Sequence, residues 1–155
     1  MFATVAAGAL EHPPESIPSH LQLGAADVEL LQNTVTMTVE AQQDDAIINI
    51  TVNIENTGAG HHVPTDFPGR HMILVLSVVD ENGQSLPLIS GPIIPQWGGP
   101  QAGYPGKAYA KVLRDVATGE MPVVSYWNQT QIVSDNRIAA FETDTSTYSY
   151  SIESS

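Results

Sequence analysis

Apolar and polar residues alternate with a period of two over much of the chain, the spacing of strands that bury one face. In 33–42, NTVTMTVEAQ, Val35, Met37, Val39 and Ala41 share one parity and Thr34, Thr36, Thr38 and Glu40 the other, which predicts a half-buried antiparallel strand. Gln43-Asp44-Asp45 predicts a turn. After it Ala46, Ile48, Ile50, Val52 and Ile54 alternate with Asn49, Thr51, Asn53 and Glu55, so the two segments predict a hairpin. Residues 71–80, HMILVLSVVD, are apolar on both parities, the pattern of a central strand covered on both faces. Asn82-Gly83 is a tight-turn signal, and 85–89 is expected to return antiparallel. Gly and Pro crowd 90–106 and predict a long irregular loop. Further strands are predicted at 107–113, 123–127, 130–133 and 141–152. About seven or eight strands with frequent turn signals predict an all-β fold, an antiparallel β-sandwich.

The N-terminal part reads differently. Residues 24–32, GAADVELLQ, carry an N-cap-like Asp27 and room for one or two helical turns. Residues 11–20, EHPPESIPSH, hold three prolines and predict an extended linker. The division expected is an extended tail and Pro-rich linker over 1–20 and a sandwich domain over 21–155. In the tail, Phe2, Val5, Ala7, Ala9 and Leu10 belong to an uncharged, small-sided run that suits a strand laid into the groove of a neighbouring sandwich. The alternative is a tail folded on its own body. MFATVAAGAL lacks the basic and long apolar regions of a secretory signal, so any such signal is expected upstream of this numbering, the alternative being a misassigned start.

Charge then narrows the partners. Of 155 residues, 17 are acidic and 5 are Lys or Arg, a net charge of −12, which repels nucleic acid and anionic lipid and attracts divalent cations. No apolar run reaches the roughly 18 residues of a membrane helix. Cysteine is absent, which rules out disulfides, thiolate metal sites and covalent c-type haem. The low charged fraction and abundant Thr, Ser, Asn and Gln lean toward an extracellular or cell-surface location.

Candidate chemistry sits in the loops. Asp66, Asp115, Glu120, Asp135 and Asn136 fall at predicted loops or strand ends, where oxygen ligands for calcium collect, with solvated turn formers as the alternative. His61, His62 and His71 are read first as latches that bond loop carbonyls, with a metal or the iron of another chain's haem as alternatives. Arg70, Arg114 and Arg137 each lie near an aspartate, namely Asp66, Asp115 and Asp135, for pairing within the chain or across an interface. No G-x-S-x-G elbow or diagnostic acid pair is present, and no enzymatic activity is expected.

Several stretches together carry a resemblance: SHLQLGAADVELLQNTVTMTVEA (19–41), NTGAGHHVPTDFPGR (56–70), LVLSVVDENGQSL (74–86), GKAYAKVLRDVATGE (106–120) and SDNRI (134–138). In these the chain resembles the haem-free β-sandwich domain that follows the haem region of multihaem c-type cytochromes. More loosely, it resembles stand-alone calcium-bearing subunits of tube-like extracellular filaments. It departs from the first in lacking a haem-attachment motif and in placing Asp66 where that family has Gly after Pro-Thr. The resemblance implies a β-sandwich that either self-assembles, with copies of itself as partners and calcium as cofactor, or docks on a multihaem cytochrome. The expected function is thus a structural extracellular subunit polymerising by N-terminal strand insertion.

Overall fold

A computed structural model of the protein describes Gly24 and residues 27–65, 67–125 and 127–152. The chain divides into two compact units, Met1–Leu31 and Gln32–Ser155, a boundary eleven residues beyond the expected linker end at residue 20. The interface candidates Phe2, Val5, Ala7, Ala9 and Leu10 lie outside the described residues, as do Asp66 and Tyr126.

A short helix, α1 (Val28–Gln32), ends just past the first unit and starts where the sequence places an N-cap. The Leu30 N–H donates to Asp27 Oδ1 at 3.0 Å, satisfying one donor of the first turn.

The second unit is all-β and antiparallel. One sheet has the order β1-β2-β8-β4, formed by β1 (Thr36–Asp44), β2 (Ile47–Glu55), β8 (Thr143–Ser151) and β4 (Leu88–Ser90). β3 (Met72–Val75) pairs with β5 (Gly106–Tyr109), and both pack on this sheet, while β6 (Lys111–Asp115) pairs with β7 (Thr130–Asp135) in a separate ladder. β5 runs into β6 through Ala110, so the predicted strand at 107–113 is one path interrupted by a single residue. Ile50, Val52 and Ile54 of β2 and Tyr148 and Tyr150 of β8 meet Leu74 of β3, Tyr109 of β5 and Ile138 between the layers, which makes this a sandwich with one core.

The predicted hairpin forms with Met37 opposite Ile54 and Val39 opposite Val52, turning at Asp45, whose φ is +49°. Its first strand is not half-buried, however: all nine residues of β1 are exposed. The strand is at the sheet edge, and period two tells which face a residue shares without telling whether a second layer covers it. The 71–80 segment also departs from expectation. Only Met72–Val75 is strand, it pairs with β5 alone, and Val75 and Val79 are exposed. The Asn82-Gly83 turn does form. Asp80 Oδ1 accepts from the N–H groups of Asn82 at 2.9 Å and Gln84 at 2.7 Å, and Gly83 takes φ +79°. Those N–H groups hold the Asp80 carboxyl below its ordinary value. No strand forms among the described residues of 123–127, where Val123 only donates its N–H to the Leu113 carbonyl at 3.0 Å. Inside the Gly- and Pro-rich 90–106 loop a 3-10 turn, Gln96–Gln101, packs beside Ile94, which is fully buried.

Candidate functional site

The two most distinctive sequence runs, NTGAGHHVPT and SDNRI, come together at one end of the sandwich. Asn56 leaves β2 with its side chain wholly buried. Its Nδ2 donates to the carbonyls of His61 at 2.7 Å and Ile138 at 3.2 Å, and its Oδ1 accepts from the Ala59 N–H at 3.1 Å. Gly58 passes so close to Asn33 that a Cβ would lie 1.9 Å from the Asn33 carbonyl oxygen, so only glycine fits. Val63 and Ile138 then exchange backbone bonds of 2.8 and 2.9 Å. Beyond this fixed end, residues 67–70 form a turn in which the Arg70 N–H donates to the Phe67 carbonyl at 2.8 Å.

A shallow hollow results. Pro64, Thr65, Phe67 and Pro68 form one wall, and Arg70, Lys111 and Arg137 contribute cationic side chains. Arg137 clasps Asp135 with Nε at 2.7 Å and Nη2 at 2.6 Å. This bidentate pair pulls the Asp135 carboxyl below the usual range and raises Arg137.

Of the proposed calcium ligands, the four described residues, Asp115, Glu120, Asp135 and Asn136, do not gather at one point. Asp115 and Asp135 stand at opposite ends of the β6–β7 ladder, where Asp115 faces Thr130 and Asp135 faces Lys111. At strand spacing that separates them by roughly 13 Å, too far for one ion. Their oxygens are also occupied. Asp115 Oδ1 accepts from the Ala117 N–H at 2.8 Å and the Thr118 N–H at 2.9 Å, while Oδ2 accepts from Asn128 at 2.8 Å. The backbone bond from Thr118 is the main cause of its lowered pKa. Glu120 joins this turn only through its backbone, its carbonyl taking the Asp115 N–H at 3.0 Å. Asn136 spends its amide on the Ala108 carbonyl at 2.7 Å and the Ala110 N–H at 2.9 Å. Among the described residues no three His, Cys, Asp or Glu side chains are grouped to hold a metal ion.

Asp135 and Arg137 pair as read from their spacing. Arg114 does not reach Asp115 and instead donates from Nη2 to Met121 Sδ at 3.4 Å. His61 Nδ1 lies 3.1 Å from the His62 carbonyl and His71 Nδ1 lies 3.2 Å from that of Gly69, the contacts of a loop latch. His71 also meets the Trp97 ring edge-on at 6.2 Å.

Two features escaped the sequence reading. One is the buried amide of Asn56, whose only signal was its place at the head of a Gly-rich loop. The other is a polar bolt between the sheets: Asp144 of β8 accepts from Lys107 Nζ at 2.6 Å and from the Tyr109 hydroxyl at 2.8 Å, both on β5. Nothing in local spacing pairs these residues. The chain matches no protein-family model, no curated protein and no solved structure.

Proposed function

We propose that the chain is a structural, self-associating β-sandwich subunit working outside the cell, whose open β1 edge accepts an extended strand from another copy. The observation that carries this reading is the state of β1. Met37 and Val39 lie on the same face as the buried Ile54 and Val52 of β2, yet they are 57% and 52% exposed. A nine-residue edge strand with an uncovered apolar row is a template for strand addition, a liability that isolated domains blunt with short or charged edges.

The donor in this reading is the uncharged run at 2–10. Burying Phe2, Val5 and Leu10 would contribute roughly 1.5–3 kcal/mol each. Donor and acceptor are different surfaces, so the contact is head-to-tail and gives an open polymer. Calcium enters as a counter-ion between copies that each carry a net charge of −12. The resemblance to tube-like extracellular filament subunits agrees with this reading.

Sizing of the full chain with light scattering, followed by negative-stain microscopy, tests it. Large oligomers are expected, favoured by calcium over sodium at equal ionic strength. Deletion of residues 1–12 should leave a folded monomer. A truncated chain that assembles like the full one would overturn the strand-insertion reading, and a co-purifying Soret band would point instead to docking on a multihaem cytochrome.

A further inference from the structure

The chain has only five Lys and Arg residues, and three of them, Arg70, Lys111 and Arg137, line a hollow beside Pro64, Thr65, Phe67 and Pro68. The other two are engaged elsewhere, Lys107 with Asp144 and Arg114 with the Met121 sulfur. Lys111 is half-buried, and its ammonium makes no hydrogen bond or ion pair among the described residues. Arg137 gives Asp135 only its Nε and Nη2 donors. A guanidinium has five N–H donors, so those on Nη1 remain outside that pair.

We propose that this hollow receives one acidic side chain from a second copy of the chain. Its carboxylate meets the Lys111 ammonium and the unspent edge of Arg137, and its methylenes lie against Phe67 and Pro68. Charge selects this occupant. With most of its positive charge concentrated here, the remaining surface of every copy offers carboxylates. Electrostatic complementarity of this kind fixes register and speeds encounter. The inference rests on the self-association reading and adds the contact that orients successive copies.

Zero-length carbodiimide coupling of the full chain, prepared as a mixture of ¹⁴N- and ¹⁵N-labelled copies, tests it, because this reagent joins only amines and carboxylates in contact. The chain has two lysines, and the Lys107–Asp144 pair at 2.6 Å serves as a same-chain control. The expected product links Lys111 to an acidic residue of the other isotope. Lys111→Gln should remove that product, and Lys111→Glu should weaken association by about tenfold or more. Coupling of Lys111 only to its own chain, at Asp66 or Asp135, overturns the inference, as does no coupling while the control forms. In either case oligomers seen by sizing leave the self-association reading standing. A full chain that stays monomeric at every concentration sinks both.

Discussion

Asn56 and Ile138 stand 82 positions apart, yet the Asn56 amide donates to the Ile138 carbonyl at 3.2 Å from a fully buried position. The same side chain holds the 59–61 backbone, so one amide sets where the loop from β2 crosses the approach to β8. Asn56→Ala would leave the His61 and Ile138 carbonyls and the Ala59 N–H without this partner. Each orphaned buried group costs about 1–3 kcal/mol. A loss of about 3 kcal/mol or more is expected, seen as a thermal midpoint lowered by roughly 6–12 °C. A shift below about 2 °C would mean that the loop is held elsewhere.

The hydroxyls of Tyr148 and Tyr150 present the opposite case. Both are buried, and among the described residues neither hydroxyl has a partner in hydrogen-bond geometry, Ser146 being only a nearby dipole for Tyr148. Removing a polar atom that forms no bond forfeits nothing and relieves its desolvation. Tyr150→Phe and Tyr148→Phe should each leave stability within about 1 kcal/mol of the parent or raise it. A larger loss in urea titrations would reveal a bridging water.

These tyrosines also set the alkaline limit. Burial raises Tyr148 and Tyr150, and burial together with the bond to Asp144 raises Tyr109. An unfolded phenol loses its proton near pH 10. A folded-state value above that leaves stability intact below about pH 10 and erodes it as pH rises toward the folded values, since the unfolded chain then binds fewer protons. Absorbance at 295 nm should therefore show these three phenols ionising together with the loss of circular dichroism. Ionisation well before unfolding would contradict it.

How far the fold was legible follows from which physical constraints are local. The Ile48 to Ile54 alternation defines the buried face of β2 because a strand buried on one face must alternate. The same logic failed at β1, where Met37 and Val39 have the right parity but no covering layer. It failed again at 71–80, where apolar residues on both parities suggested a doubly covered strand. There Leu76 and Val78 pack on the core from a segment that has left the sheet, and Val79 faces outward. The Asp135–Arg137 pair was readable because it is local. The separation of Asp115 from Asp135 was not, since it depends on how β6 and β7 run past each other. Lys111 gave no signal, because a lone lysine on a strand reads as surface until the 67–70 turn is placed beside it.

Acid should expose the local carboxylate contacts. Asp135 is held low by Arg137 and Asp115 by the Thr118 turn. A depressed folded value contributes stability above the unfolded value of about 3.9 and loses it as pH falls through the folded one. The melting temperature should stay nearly level from neutrality to about pH 4 as far as these groups act, then fall. Asp135→Asn should flatten part of that fall. An unchanged acid limb would show that the pair contributes little, as partly exposed pairs often do.

The exposed row on β1 gives the sharpest contrast between folding and assembly. Val39 and Val52 face each other across the β1–β2 hairpin on one face of the sheet, but Val39 is half exposed and Val52 is fully buried. Lysine at position 39 can carry its ammonium to water past the rim, as long cationic side chains do, and an edge lysine discourages strand addition. Val39→Lys should therefore keep the parent's melting curve to within about 1 kcal/mol while abolishing oligomers in sizing and microscopy. Val52→Lys would bury a charge without a partner and should fail to fold. If Val39→Lys assembled as well as the parent, β1 would not be the acceptor, and the copies would have to meet through another surface.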